Sequence, residues 1–242
     1  NPDWPISGFA PMVPMLLMID TAFAWTGGLS GPARVQRIAT WMASSTVSMG
    51  EAALSTPNVL CVGETLFDGL PSGIFLGGAP LNVAAHLSHM GSSTCYASAV
   101  GRDRLGVEAC RRLTASGVDV RLVATIDEAE TGFVSVDIDE NGDASYTFAT
   151  PAAWDFVPSD NVAEAAAAAD ALVYGTLSQR APATRATVAA ARASAQYTVC
   201  DANLRPPYDS ADVVGESVCG VDCLKLNDEE LIAVARAVRQ HR

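Results

Sequence analysis

The sequence predicts an α/β fold, a doubly wound and mostly parallel sheet that carries a small β lid. Three observations predict it. Short, nearly continuous apolar runs such as Asn58–Gly63, Ala171–Gly175 and Tyr197–Asp201 alternate with helical segments, as strands buried on both faces and joined by helices do. One segment, Thr131–Thr150, interrupts that series with a strict apolar–polar alternation. Polar clusters fall directly after several of the apolar runs, where open parallel sheets bind their ligands.

The elements follow in chain order. Asn58–Gly63 reads as a buried strand. After a glycine-rich stretch, Val83, Leu87 and Met90 recur at i, i+4 and i+7 in a helix starting at Asn82, with Gly91 as its stop. Thr94–Val100 is the next strand, and Gly106–Ser116 a helix closed by Gly117. In Thr131–Thr150, Val134, Val136 and Ile138 alternate with polar residues. Asn141-Gly142 supplies a tight turn, and Tyr146 and Phe148 alternate on the return, giving a hairpin with one apolar face. The β/α pattern then resumes: helix Asn161–Ala169, strand Ala171–Gly175, and helix Pro182–Ala195 with proline in its first turn. Strands Tyr197–Asp201 and Cys223–Asn227 follow. The helix Asp228–Gln240 has acids in its first turn and Arg236 and Arg239 near its end, matching the helix dipole.

Composition bounds the function. The chain has 242 residues, of which 49% are apolar and 17% charged, a globular balance. A net charge of -12 with scattered basic residues excludes a nucleic-acid surface. The run Pro11–Trp25 holds Asp20 and two prolines and is too short to span a membrane. Six cysteines form no C-x-x-C pair and read as buried thiols of a reducing compartment. His86 and His89 stand at i, i+3 on a helix without a third ligand and read as helix surface. Arg102 and Arg104 read as solvated loop charges.

Residues 1–56 stand apart as an N-terminal extension, and residues 57–242 form the domain. No acid occurs from Thr21 to Gly50 while Arg34, Arg37 and several hydroxyl residues do, as in an organelle transit peptide. Translation from Met42 or Met49 is the other reading. The location expected is cytoplasmic, or a plastid or other organelle if the extension is a transit peptide.

The strand-end clusters are Gly63–Asp68 (G-E-T-L-F-D), Gly77–Asn82 (G-G-A-P-L-N), Asp201–Arg205 (D-A-N-L-R) and Asn227–Glu230 (N-D-E-E). Sugar hydroxyls both donate and accept, which suits Asp and Asn side chains, and paired glycines let the backbone approach a ring closely. By themselves Asn227 and Glu230 also read as a capping box, the glycines as a turn and Asp68 as a loop acid.

In order and spacing these segments resemble the PfkB/ribokinase family of carbohydrate kinases, in the fructokinase-like form. Gly77–Ala84 looks like the family's first signature, flanked by Gly63–Asp68 and Val100–Gly106, and Thr131–Val134 resembles the start of its lid. The resemblance implies a ribokinase-like fold and ATP-dependent phosphorylation of a primary sugar hydroxyl with Mg2+. Fructose or a related ketose is the implied substrate. Asp68, Gly77, Gly78 and Asn82 match the sugar-holding positions, with Arg205 beside the substrate. Asn227 and Glu230 match the pair that organises the nucleotide phosphates, Glu230 acting on magnesium indirectly. The hairpin at about 131–150 matches the lid, through which two copies could pair as a homodimer. The family's G-A-G-D segment, whose Asp is the catalytic base, does not occur before Arg242. The expectation is therefore a C-terminally truncated domain without turnover of its own. The alternative is a non-catalytic binding or scaffold protein.

Overall fold

The computed structural model describes residues 56–138 and 144–241, and side chains outside 136–145. The extension up to residue 55 and the Asn141-Gly142 turn lie outside the described residues. In chain order the elements are β1 (Asn58–Val62), β2 (Leu66–Leu70), β3 (Gly73–Gly77), α1 (Ala79–His89), β4 (Ser93–Gly101), α2 (Arg104–Ala115), β5 (Asp119–Ile126) and β6 (Gly132–Ile138). They continue as β7 (Ala144–Phe148), α3 (Val162–Ala168), β8 (Ala171–Gly175), α4 (Pro182–Ser194), β9 (Thr198–Asp201), α5 (Ala211–Val218), β10 (Cys223–Lys225) and α6 (Asp228–His241).

Six strands form one sheet in the order β10-β9-β8-β1-β4-β5, every pair parallel. Strand β1 shows why its sequence is nearly all apolar. Leu60 and Val62 pack on one face with Val188 and Ala191 of α4 and Val234 of α6. Val59 and Cys61 pack on the other with Leu81 and Ala84 of α1 and Leu113 of α2. Both faces are thus covered, as a doubly wound sheet requires. Two buried tyrosines reach partners at its margins: the Tyr96 hydroxyl donates to the Glu64 carbonyl at 2.6 Å and that of Tyr174 to the Ser217 carbonyl at 2.7 Å. No helix among the described residues is long and apolar enough to cross a membrane.

The lid departs from expectation. It is a four-stranded sheet, β3-β2-β6-β7, rather than a hairpin alone. The β6–β7 pairing sets Val134 opposite Phe148 and Val136 opposite Tyr146, the register that the alternation requires. Strand β2 pairs parallel with β6 and antiparallel with β3. Its sequence LFDGL and that of β3, GIFLG, read as a glycine-rich loop because Gly69, Gly73 and Gly77 break the alternation. Pairing of β2 with β6, and of β3 with β2, holds them extended instead.

Two helix starts also shift. Helix α1 begins at Ala79 rather than Asn82, with Gly78 as its N-cap residue and proline in its first turn. Helix α2 begins at Arg104, where the Asp103 carboxylate accepts the Gly106 amide at 2.8 Å as an N-cap. Strand β5 and helix α5 add to the elements expected. Strand β5 is the sheet edge beyond β4 and only partly buried, which explains its faint hydrophobic signal.

Candidate active site

Because all six strands run in one direction, their carboxyl ends line one edge of the sheet. The root of the lid is fixed at that edge. The Thr65 hydroxyl donates to Ser98 Oγ at 2.9 Å, and Ser98 Oγ to the Gly63 carbonyl at 2.7 Å. Strand β2 leaves directly from this root, so Asp68 lies on a lid strand, not in the loop expected from the sequence.

Asp68 and Gly77 come together. A Cβ on Gly77 would lie 2.6 Å from Asp68 Oδ2, so the missing side chain leaves room for that carboxylate. Asp68 is half-buried and has no side-chain hydrogen-bond partner among the described residues. Burial pushes its pKa up, opposed by the charge of Arg205. The Arg205 guanidinium itself donates to the Leu204 carbonyl at 2.9 Å. Directly opposed strand residues share a face, so Asp68, Phe75 and Val134 lie on one side of the lid, and the pairings of Val134 with Phe148 and Val136 with Tyr146 extend that side across β7. The Phe75 and Tyr146 rings on it are exposed.

Gly78 has φ 124°, a conformation that L side chains rarely adopt. A Cβ there would collide with the Glu64 carbonyl. This close approach is what the second glycine provides. Asn82 follows one turn into α1, its amide donating to the Gly78 carbonyl at 2.9 Å and its side chain exposed.

Glu64 is a site residue that the motif reading passed over. It is 2% exposed, and its Oε1 accepts the Ala79 amide at the start of α1 at 2.8 Å. Its Oε2 is buried without a hydrogen-bond partner. Burial, the largest cause, raises its pKa to about 7. The Ala79 amide and Arg205 oppose this and the Asp201 charge adds to it. The available signal was an acid placed immediately after the glycine that ends a buried strand.

The other two clusters are joined by backbone. Asp201 ends β9, with Lys225 Nζ 3.1 Å from its Oδ2. Asn203 follows with φ 36°, a left-handed value that Asn tolerates. Glu230 is buried, its Oε1 accepting the Leu204 amide at 2.7 Å and its Oε2 the Asn227 amide at 2.9 Å. Asn227 Oδ1 accepts the Glu230 amide at 2.8 Å. The pair is thus a reciprocal capping box that also clamps the Asp201–Arg205 segment to α6. Both Glu230 oxygens accept backbone amides, which ties this end of the chain segment together through the backbone. Among the described residues no group of three or more His, Cys, Asp or Glu could hold a metal ion. His86 and His89 are exposed on α1.

A shallow depression of about 710 Å³ lies elsewhere, lined by Gly101, Arg102, Asp103, Val107 and Thr125 among others. Arg102 and Asp103 within it are already engaged. Arg102 pairs with Asp127, and Asp103 accepts both the amide and the hydroxyl of Thr131 at 2.7 and 2.8 Å. Partial burial opposes ionisation of Asp103, but the Thr131 and Gly106 donors outweigh it and hold the carboxyl below its usual range. This is a joint that fastens the lid strand β6 to α2. Asp103→Ala is expected to lower stability by about 2 kcal/mol through the lost cap and the orphaned Thr131 amide. Thermal unfolding at neutral pH measures it.

Residues 73–238 match the family described as pfkB family carbohydrate kinase. The chain is 26% identical over 230 residues to the probable fructokinase-6, chloroplastic, of Arabidopsis thaliana, covering 86% of this chain and 60% of that protein. It is 28% identical over 188 residues to the fructokinase of Klebsiella pneumoniae, covering 72% and 61%. The chain thus spans about 60% of the length of these curated relatives. Among solved structures, an uncharacterized sugar kinase of Pyrococcus horikoshii superposes with a TM-score of 0.67 at 23% identity, over 74% of this chain and 66% of the other. The fructokinase of Xylella fastidiosa gives 0.66 at 24%, over 76% and 66%. These likenesses establish the doubly wound fold with its lid.

Proposed function

The chain belongs to the pfkB family of carbohydrate kinases, and on that premise we propose that it carries the sugar-binding half of an ATP-dependent, fructokinase-like enzyme that phosphorylates a primary hydroxyl of a ketose. The observation that supports this reading is the approach of Gly77 to the Asp68 carboxylate, beside the positive-φ turn at Gly78. Asp68 accepts sugar hydroxyls with a carboxylate free of partners within the described protein. Gly77 and Gly78 leave the space in which a polyol ring meets backbone, and Asn82 presents a carboxamide one turn along α1. Arg205 balances the Asp68 charge and donates to a ring or hydroxyl oxygen. The exposed Phe75 and Tyr146 rings give the lid apolar faces to lay over the sugar, and closure excludes water from the transfer.

ATP with Mg2+ supplies the phosphoryl group when bound. On this chain Asn227 is the residue assigned to its phosphates. Glu230 holds Asn227 and Leu204 in place, consistent with an indirect role toward the metal. No G-A-G-D segment occurs among the 242 residues, so the 242-residue chain is expected to bind sugar without turning it over. Pairing of two copies through the lid belongs to the same reading.

Calorimetric titration of the 242-residue chain against fructose, 2-keto-3-deoxygluconate, ribose and glucose tests the assignment. Binding is expected for fructose ahead of the others. A chain that binds none of them at millimolar concentration while remaining folded would sink it.

A further inference from the structure

Strand β7 leaves the lid through Phe148, Ala149 and Thr150, and all three meet one pair of side chains outside it. Phe148 packs in the lid core with Leu66 and Val134. It also meets the Tyr208 ring edge-to-face at 5.7 Å. The Tyr208 hydroxyl stands 3.3 Å from Thr150 Oγ1, and Arg180 Nη2 donates to the Ala149 carbonyl at 2.9 Å. We propose that Tyr208 is a positioning residue. Its ring seats the end of the lid on the Arg180 stack, and its backbone holds the turn that carries Arg205. The lid and Arg205 therefore take their places together.

The floor beneath Tyr208 is firm. Trp154 and Asp155 are both buried. The Trp154 carbonyl accepts the Thr184 hydroxyl at 2.8 Å, and Asp155 Oδ2 accepts the Ala152 amide at 2.9 Å. The Arg180 guanidinium lies over both rings, 3.8 Å from the Trp154 centroid and 4.7 Å from that of Tyr208. Such a contact strengthens where water is excluded. A cation fixed from below thus faces a half-buried ring.

Little slack separates that ring from Arg205. Pro206 and Pro207 fill the positions between them, and proline fixes its own φ and has no N–H to rearrange. The Tyr208 amide donates to the Arg205 carbonyl at 2.8 Å and closes the turn. Ahead of the turn, Glu230 Oε1 accepts the Leu204 amide at 2.7 Å. The step from Leu204 to Arg205 is therefore held from α6 at one end and from Tyr208 at the other. A shift of the Tyr208 ring reaches Arg205, and Phe148 and Thr150 set where that ring rests.

Hydrogen exchange of the 242-residue chain tests the coupling from both ends. Tyr208→Leu removes the ring and the hydroxyl, and Phe148→Leu alters only the lid side. Each is expected to quicken amides in residues 146–150 and in residues 203–210 about tenfold beyond the change in β1 and β8, because coupling between two sites is reciprocal. Tyr208→Phe keeps the aromatic contacts and should leave both segments within about twofold of wild type. Quickening confined to the segment that carries the substitution would overturn the proposal. Phe148→Leu decides the matter even if Tyr208→Leu does not fold.

The consequence for the ligand rests on the sugar reading above, in which Arg205 lies beside the substrate. Fructose affinity by calorimetry should fall about tenfold in Tyr208→Leu and stay within about twofold in Tyr208→Phe. In an Arg205→Ala background the same leucine change should cost nothing further, because residues that act through one contact are not additive. A merely structural ring would cost as much there as in the wild type, and that result would also overturn the proposal. A folded wild-type chain that binds no sugar would count against the proposed function alone, since exchange still reports the coupling.

Discussion

Asp68→Ala is expected to weaken fructose binding about 100-fold or more while changing stability by less than about 1 kcal/mol. The two effects separate because of how the carboxylate is held. It has no hydrogen-bond partner among the described residues and is half-buried on a lid strand, so truncation orphans no group of the folded protein. A carboxylate that accepts two sugar hydroxyls supplies about 1.5–3 kcal/mol per bond, and two such bonds lost exceed two orders of magnitude in affinity. Asp68→Asn keeps the size and one acceptor and should fall between the two, with a loss of about tenfold. Calorimetric titration together with thermal unfolding measures both quantities. Unchanged affinity in the alanine variant would remove Asp68 from the sugar site.

The largest stability loss is expected at Arg180. Its guanidinium is buried and pairs with Asp155 through two bonds, Nε to Oδ1 and Nη2 to Oδ2, each 2.8 Å. It lies over the Trp154 ring at 3.8 Å and the Tyr208 ring at 4.7 Å. Nη2 also donates to the Ala149 carbonyl just beyond β7. Arg180→Ala leaves the Asp155 charge buried and unpaired, which costs about 3–5 kcal/mol and lowers the melting temperature by roughly 10 °C in a domain of this size. The node also joins the lid to the segment that carries Arg205. Phe148 at the end of the lid meets Tyr208 edge-to-face at 5.7 Å, and the Tyr208 amide donates to the Arg205 carbonyl at 2.8 Å. Hydrogen exchange in β6 and β7 should therefore quicken in the variant beyond what global destabilisation explains. The double change Arg180→Met with Asp155→Ala should be milder than the single one, since no lone charge remains. Equal losses in both would mean that packing, not the ion pair, dominates.

The Arg180 node was invisible in the sequence for a physical reason. Arg180, Trp154 and Tyr208 stand in three separate segments, and nothing in their spacing marks one stack. The same holds for the lid. The alternation of Val134, Val136 and Ile138 showed β6, because a strand with one covered face writes a period of two into its residues. Strands β2 and β3 wrote no such period, because their glycines serve close approaches to Asp68 and Phe133 rather than a packed face. Asn227 and Glu230 were legible as a cap from local chemistry alone. Their clamp on Leu204 was not, since it depends on where β9 and β10 end side by side.

By itself the sequence determined the alternating strands and helices of the sheet, the helix stops at Gly91 and Gly117, and the polar clusters behind the strands. Each is written in neighbours a few residues apart, where periodicity and backbone preference act. Only the tertiary structure decided that Asp68 rides on the lid, that Glu64 is buried beneath Gly78, and that Glu230 holds the Leu204 amide. Those relations come from parallel strand ends brought together across long stretches of chain, and burial and charge act through that distance in space rather than along the backbone.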